Sequence, residues 1–255
     1  VGVGVSSQGR ALPPVDQLAL FSAERDTRPQ FVTRAANCRD LRDTFNDRLL
    51  KGLTLVEPYD IPRIESSQLL PGSLVAFSEA MAMPCGDARA WVHFYEDDYR
   101  FHRLWNRPER YLDKLSQFAG VISPDFSLYR NLPVARKIEH TYRNQLLGAW
   151  LQAQGVNVIA NVRLSGRASV PYALASVPRE SSIAIGLHGC IKDRANRAQV
   201  VEEIRLICDL QEPTNLIVYG SDAYRVLDYA REVGTHVHVH RSDCFHRGNS
   251  RKGAA

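Results

Sequence analysis

From Ser73 onwards, short runs rich in β-branched and aromatic residues recur along the chain, and that recurrence limits the fold more than any other feature. The runs are LVAFSEA (74–80), WVHFYE (91–96), GVISPD (120–125), VNVIANVRL (156–164), SIAIGLHG (182–189), NLIVYGS (215–221) and HVHVH (236–240). Helical patterns lie between most of them. One begins at Pro108, a residue suited to a first helical turn. A longer one covers about 133–154, with Val134, Ile138, Tyr142, Leu146, Trp150 and Ala153 along one stripe and Gly155 placed to stop it. Two more are expected over about 195–209 and 221–233, and a shorter one in ASVPYALASVP.

Apolar strands alternating with helices predict parallel pairing, with helices covering the sheet. The link between the first two runs, about eleven residues, is short for a helical crossover, so a loose hairpin or an edge position is expected there. The expected fold class is α/β: mostly parallel strands alternating with helices, in a barrel-like or open sheet, with a loosely structured N-terminal extension. No G-x-G-x-x-G follows a strand and no G-x-x-x-x-G-K-[ST] occurs, which removes the usual dinucleotide and P-loop signatures and favours the barrel-like form. The chain divides into an N-terminal extension (1–58), an α/β domain (59–240) and a basic tail (241–255). The extension carries one expected amphipathic helix, with Cys38, Leu41, Phe45 and Leu49 in register and Gly52 as its stop. The tail holds Arg241, Arg247, Arg251 and Lys252 against Asp243.

A 44% hydrophobic, 24% charged composition supports a packed core. No apolar run approaches the ~20 residues that span a bilayer, and the opening VGVGVSSQGR lacks the apolar centre of a secretory signal. No membrane association is therefore expected, and the cytoplasm is the expected compartment. Five cysteines, an odd number without C-x-x-C spacing, speak against a disulfide framework and a zinc ribbon; Cys208 reads as a small buried apolar residue. The formal charge of +4 is compatible with a nucleic-acid partner without requiring one.

Chemistry is expected where the strands end, because parallel α/β folds bind ligands beyond the carboxyl ends of their strands. Those ends carry Glu79, Glu96-Asp97-Asp98, Asp125, Asn161 and Arg163, His188 and Cys190, Tyr219 and Ser221, and His240. Carboxylate oxygens suit Mg²⁺ or Mn²⁺, so Glu96, Asp98 and Asp125 are the expected ligands of a divalent cation. In GLHGCIKD, Lys192 can reach a phosphate and His188 can serve as acid or base, while Cys190 reads as a substrate contact. Asp125, His188 and Lys192 form the expected catalytic group; Tyr95, Asn161, Arg163 and Cys190 form the expected substrate-binding group. HVHVH leaves three readings open. His236 and His238 could chelate zinc or another transition metal, a second choice behind Mg²⁺ or Mn²⁺. The paired histidines also occur in DNA-nicking enzymes. The favoured reading is a solvent-facing edge strand.

Several longer stretches, VHFYEDDYRF, LWNRPERYLDKL, GVISPDFSLYRNLP, YRNQLLGAWLQAQGVNVIANVR, AIGLHGCIKD and IVYGS, together resemble the domain-of-unknown-function 4417 family of bacterial, phage and plasmid proteins. The resemblance covers about 59–239 and implies a mobile-element setting. Its motifs fall on Tyr95, Glu96, Asp97, Asp98, Pro124, Asp125, Asn161, Arg163, His188, Gly189 and Lys192. The resulting expectation is a phage or plasmid enzyme acting on nucleic acid or a nucleotide. The alternative is a non-enzymatic DNA-binding protein of replication or regulation. In the enzyme reading, Asp125→Asn is expected to abolish turnover with little change in melting temperature.

Overall fold

The computed structural model describes residues 45–187 and 193–241. Two short strands, β1 (Leu55–Val56) and β2 (Ile61–Pro62), pair antiparallel ahead of the main sheet. There follow β3 (Ser73–Ala76), α1 (Phe77–Ala80), β4 (Ala90–His93), α2 (Asp98–Asn106), α3 (Glu109–Leu115) and β5 (Gly120–Ile122). The second half comprises α4 (Val134–Ala153), β6 (Val158–Asn161), α5 (Val170–Ala173), β7 (Ser182–Gly186), α6 (Arg194–Gln211), β8 (Asn215–Tyr219), α7 (Asp228–Glu232) and β9 (His236–His240).

Strands β3 to β9 form one sheet in chain order, and every neighbouring pair is parallel. Sequential order with right-handed crossovers puts the connecting helices on one face. The other face has to cover itself, and it does so by curling. Its side chains form a small separate core of Trp91, Ile122, Ile159, Ala184 and Ile217, one from each of β4 to β8. The alternate positions, such as Val92, Val121, Val158, Ile183 and Val218, join the large core shared with the helices. The curl can be measured. Flat strands sit about 4.8 Å apart, so β4 and β8 would be roughly 19 Å apart in a flat sheet. Instead, the rings of His93 on β4 and Tyr219 on β8 lie 4.3 Å apart. The architecture is a seven-stranded parallel half-barrel, the barrel-like member of the two expected forms.

The longest helix shows why the sequence folds this way locally. The C-terminal half of α4 is buried on nearly every side, from Asn144 to Leu151, because the sheet lies on one flank and the β2 segment on the other. Gly148 sits in the vice: an added Cβ would meet Ile64 Cδ1 at 2.5 Å and Ser123 Cβ at 2.8 Å. Gly155 follows in the left-handed conformation (φ +86°) that ends a helix without steric cost.

Four expectations are corrected. The first two runs pair parallel, not as a hairpin, because β3 ends at Ala76 and FSEA turns into α1, which lengthens the crossover. Glu96-Asp97-Asp98 is not a strand end throughout; Asp98 opens α2, a helix the periodicity did not predict. The helix expected over about 221–233 is broken, with only α7 remaining helical after a 3-10 turn at Ala223–Arg225. Phe45 and Leu49 do not share a helical stripe either. Asn46 between them is left-handed (φ 62°), Phe45 is exposed, and only Leu49 is buried. The rest of that helix and the leader before it, together with the tail beyond Arg241, lie outside the described residues. Among the described residues no helix is long and apolar enough to cross a membrane, and Cys208 is buried as expected.

Candidate functional site at the mouth of the half-barrel

All seven strands point the same way, so their carboxyl ends share one rim, as the alternation implied. Strand periodicity then decides which rim residues face inward. Above Trp91 on β4 come His93 and Tyr95; above Ile159 on β6 come Asn161 and Arg163; above Ile217 on β8 comes Tyr219. The interior therefore changes from apolar to polar within one side-chain layer.

These residues are wired together. Asp125 Oδ1 accepts from Arg163 Nε at 2.6 Å and from Asn161 Nδ2 at 2.8 Å, while Oδ2 accepts from Arg163 Nη2. Asn161 Oδ1 accepts from the Tyr95 hydroxyl at 3.0 Å, and its backbone N–H donates to Ser123 Oγ at 2.8 Å. Asn144 of α4 clamps the backbone after Asp125, accepting from Phe126 N at 2.7 Å and donating to Phe126 O at 3.2 Å. The ion pair is asymmetric: the Asp125 side chain is 5% exposed and that of Arg163 27%. Its carboxylate is buried behind a guanidinium that reaches the mouth.

Beside this network stands a cluster of rings. Tyr95 stacks on Tyr219 with centroids 5.1 Å apart and planes 14° from parallel, and His93 lies within 5.4 Å of Tyr95. Gly186 of β7 makes the stack possible, since an added Cβ would stand 2.6 Å from Tyr95 Cδ1. His93 is buried, and its Nδ1 accepts the Tyr95 N–H at 3.1 Å, which leaves the proton of the neutral ring on Nε2, an atom with no hydrogen-bond partner among the described residues. Burial, then the neighbouring His240, pushes its pKa down to about 3. Burial, then the Asp125 charge, raises the Tyr95 phenol well above its ordinary range, so it acts as a neutral donor.

Of the expected site residues, Tyr95, Asp125, Asn161 and Arg163 come together. Glu96 and Asp98 go elsewhere. Glu96 accepts from Ser78 N at 2.9 Å and from the Ser78 hydroxyl, tying down the start of α1. Asp98 accepts from Ser127 Oγ at 2.8 Å and Ser127 N at 3.2 Å, joining α2 to the loop after β5. Each of the three carboxylates expected to share a cation thus has its own protein partner. Among the described residues no group of three or more His, Cys, Asp or Glu is placed to hold a metal ion. The histidine strand is the sheet's edge, as favoured, but its histidines share the inward face, because His238 pairs in register with Ile217 and His240 with Tyr219. His236 is exposed, His238 contacts Asn215 Oδ1 through Nε2 at 3.2 Å, and His240 is half-buried near the mouth. His188, Gly189, Cys190 and Lys192 lie outside the described residues. Reading strand ends alone missed His93; the signal was present in the alternation Trp91, His93, Tyr95.

Much of the chain that builds this mouth is similar in sequence to known proteins. The Gene 1 protein of Mycobacterium phage L5 is 30% identical over 166 residues, covering 64% of this chain and 71% of the phage protein. The Gene 1 protein of Mycobacterium phage D29 is 28% identical over 170 residues, covering 65% of this chain and 62% of that protein, less than two thirds of its length. A family model described as Domain of unknown function (DUF4417) matches residues 53–239, from just ahead of β1 to the last residue but one of β9. That match takes in well over half of the chain and every described residue of the mouth network, so the chain belongs to the phage-related family of Domain of unknown function (DUF4417).

Proposed function

We propose that this protein is an enzyme that acts in the cytoplasm on a nucleotide or nucleic acid, bound at the mouth of the half-barrel. The observation that carries the reading is the orientation of the Asp125–Arg163 pair, with the carboxylate buried and the cation outward. A guanidinium held by a bidentate carboxylate presents a fixed positive charge at low entropic cost, which suits the phosphate of such a ligand. The neutral Tyr95 hydroxyl and the ring stack beside it supply a donor and an apolar flank of the kind that ligand sites combine. His188, Cys190 and Lys192, which follow β7 in the sequence, belong to the proposal as acid–base and binding groups.

The test is calorimetric titration of mononucleotides and short oligonucleotides into wild type and Arg163→Lys, with turnover of labelled ligand followed in parallel. Lysine keeps a charge beside Asp125 but loses the fork, so affinity should fall about tenfold, roughly 1.4 kcal/mol. Absence of any binding to the wild type would falsify the reading. Binding without turnover, weakened by salt, would favour the non-enzymatic DNA-binding alternative.

A further inference from the structure

Past Tyr219 the chain leaves the mouth and breaks the helix that its composition favours. Tyr224 (φ 64°, ψ 22°) and Arg225 (φ 59°) are both left-handed, a conformation in which the Cβ of an L-residue crowds its own backbone and which glycine or asparagine usually occupies. Such strain persists only where the surroundings enforce it. Burial does not, because Tyr224 is 59% exposed. What the conformation achieves is a stack: Arg197 Cζ, from the first turn of α6, stands 3.5 Å from the Tyr224 ring centroid. Arg225 turns aside to pair with Asp228. The rim carries more of the same. Tyr99, at the start of α2 after β4, is 72% exposed with Arg100 Cζ 5.5 Å from its ring, and Tyr129, in the loop after β5, is 63% exposed.

We infer that the Tyr224–Arg197 stack is a nucleobase platform and that the ligand of the mouth is a single-stranded nucleic acid. This rests on the reading of the mouth as a phosphate site. A mononucleotide has one base and needs one platform. Exposed tyrosines on the segments after β4, β5 and β8, with Arg163 after β6 between them, fit a ligand that offers several bases in succession along a charged backbone. Duplex is disfavoured because its base faces are already stacked.

The experiment is fluorescence anisotropy with a labelled oligothymidylate of about 12 nucleotides, a length that spans several stacking contacts. Wild type, Tyr224→Gly, Tyr224→Phe and Arg163→Lys are compared, with melting temperatures recorded. Glycine relieves the left-handed crowding, so Tyr224→Gly should melt at or above wild type yet bind about tenfold more weakly, while Tyr224→Phe stays within about twofold. Unchanged affinity in Tyr224→Gly overturns the inference, and so does lost affinity accompanied by a lowered melting temperature, which makes Tyr224 a structural prop. If thymidine mononucleotide binds as well as the oligomer and Arg163→Lys still weakens it, the platform falls and the mouth stands. If neither ligand binds, both fall.

Discussion

At Gly186 an added methyl group would press on Tyr95 Cδ1 at 2.6 Å and Cε1 at 2.8 Å, with Arg163 Nη2 at 3.3 Å. The ring cannot retreat easily, because Tyr219 backs it. Gly186→Ala is expected to cost about 1–3 kcal/mol, seen as a lower urea midpoint at unchanged slope, and to loosen the Tyr95–Asn161 bond. Asp125 tells a second residue-scale story. Its carboxylate answers both Arg163 and Asn161, so Asp125→Asn removes the charge that holds the half-enclosed guanidinium in its two-pronged grip. The variant should lose about 1–3 kcal/mol of stability, a fall in melting temperature where the sequence alone led us to expect almost none. A melting curve that overlays the wild type would show the pair to be energetically idle. Strand-end reading located Tyr95, Asp125, Asn161 and Arg163 because height along a strand follows from where the apolar run stops. It could not tell them from Glu96 and Asp98, which follow the same strand as Tyr95 but bond instead to Ser78 and Ser127. Height is a one-dimensional property; direction is not.

Elements were legible in proportion to their length. The twenty-residue α4 and the eighteen-residue α6 fall close to where periodicity puts them. The nine-residue α2 was hidden by acidic residues that look like a turn, although one of them, Asp98, serves its first turn, where a negative charge is favourable. The histidine strand shows the same limit. Alternation identified β9 and sorted its two faces, but which face met the interior depended on its register with β8. That register also sets what β9 protects. Leu216, Ile217 and Val218 of β8 are completely buried, and removing β9 would turn β8 into an open apolar edge. Truncation after Gly234 should therefore aggregate or melt far below the full chain, measured by light scattering during size-exclusion chromatography. A monodisperse truncated protein with native melting would show that β9 contributes nothing to the sheet.

For the whole molecule, acid is the informative perturbant. His93 takes a proton at about 6.5 when unfolded and near 3 when folded, because burial and the adjacent His240 oppose its charge. Between those values the unfolded chain holds more protons, so stability is fully present above pH 6.5 and declines as pH falls towards 3. His240, lowered by burial and then by His238, acts in the same direction. From pH 6.5 to 5, before most carboxylates titrate, the loss should approach about 1.4 kcal/mol per pH unit, and His93→Phe should flatten it. Equal urea midpoints at pH 7 and pH 5 would contradict a buried neutral His93. The sequence by itself determined the α/β class, the parallel direction and the rim on which the polar residues collect, since these follow from periodicities of two and 3.6 and from where each run ends. Only the tertiary structure decided that the sheet curls, that β4 and β8 meet across it, and that Asp125, Asn161, Arg163 and Tyr95 share one network while Glu96 and Asp98 do not. Those outcomes depend on contacts between residues dozens to more than a hundred positions apart, and they are set by how seven twisted strands close around one small apolar core.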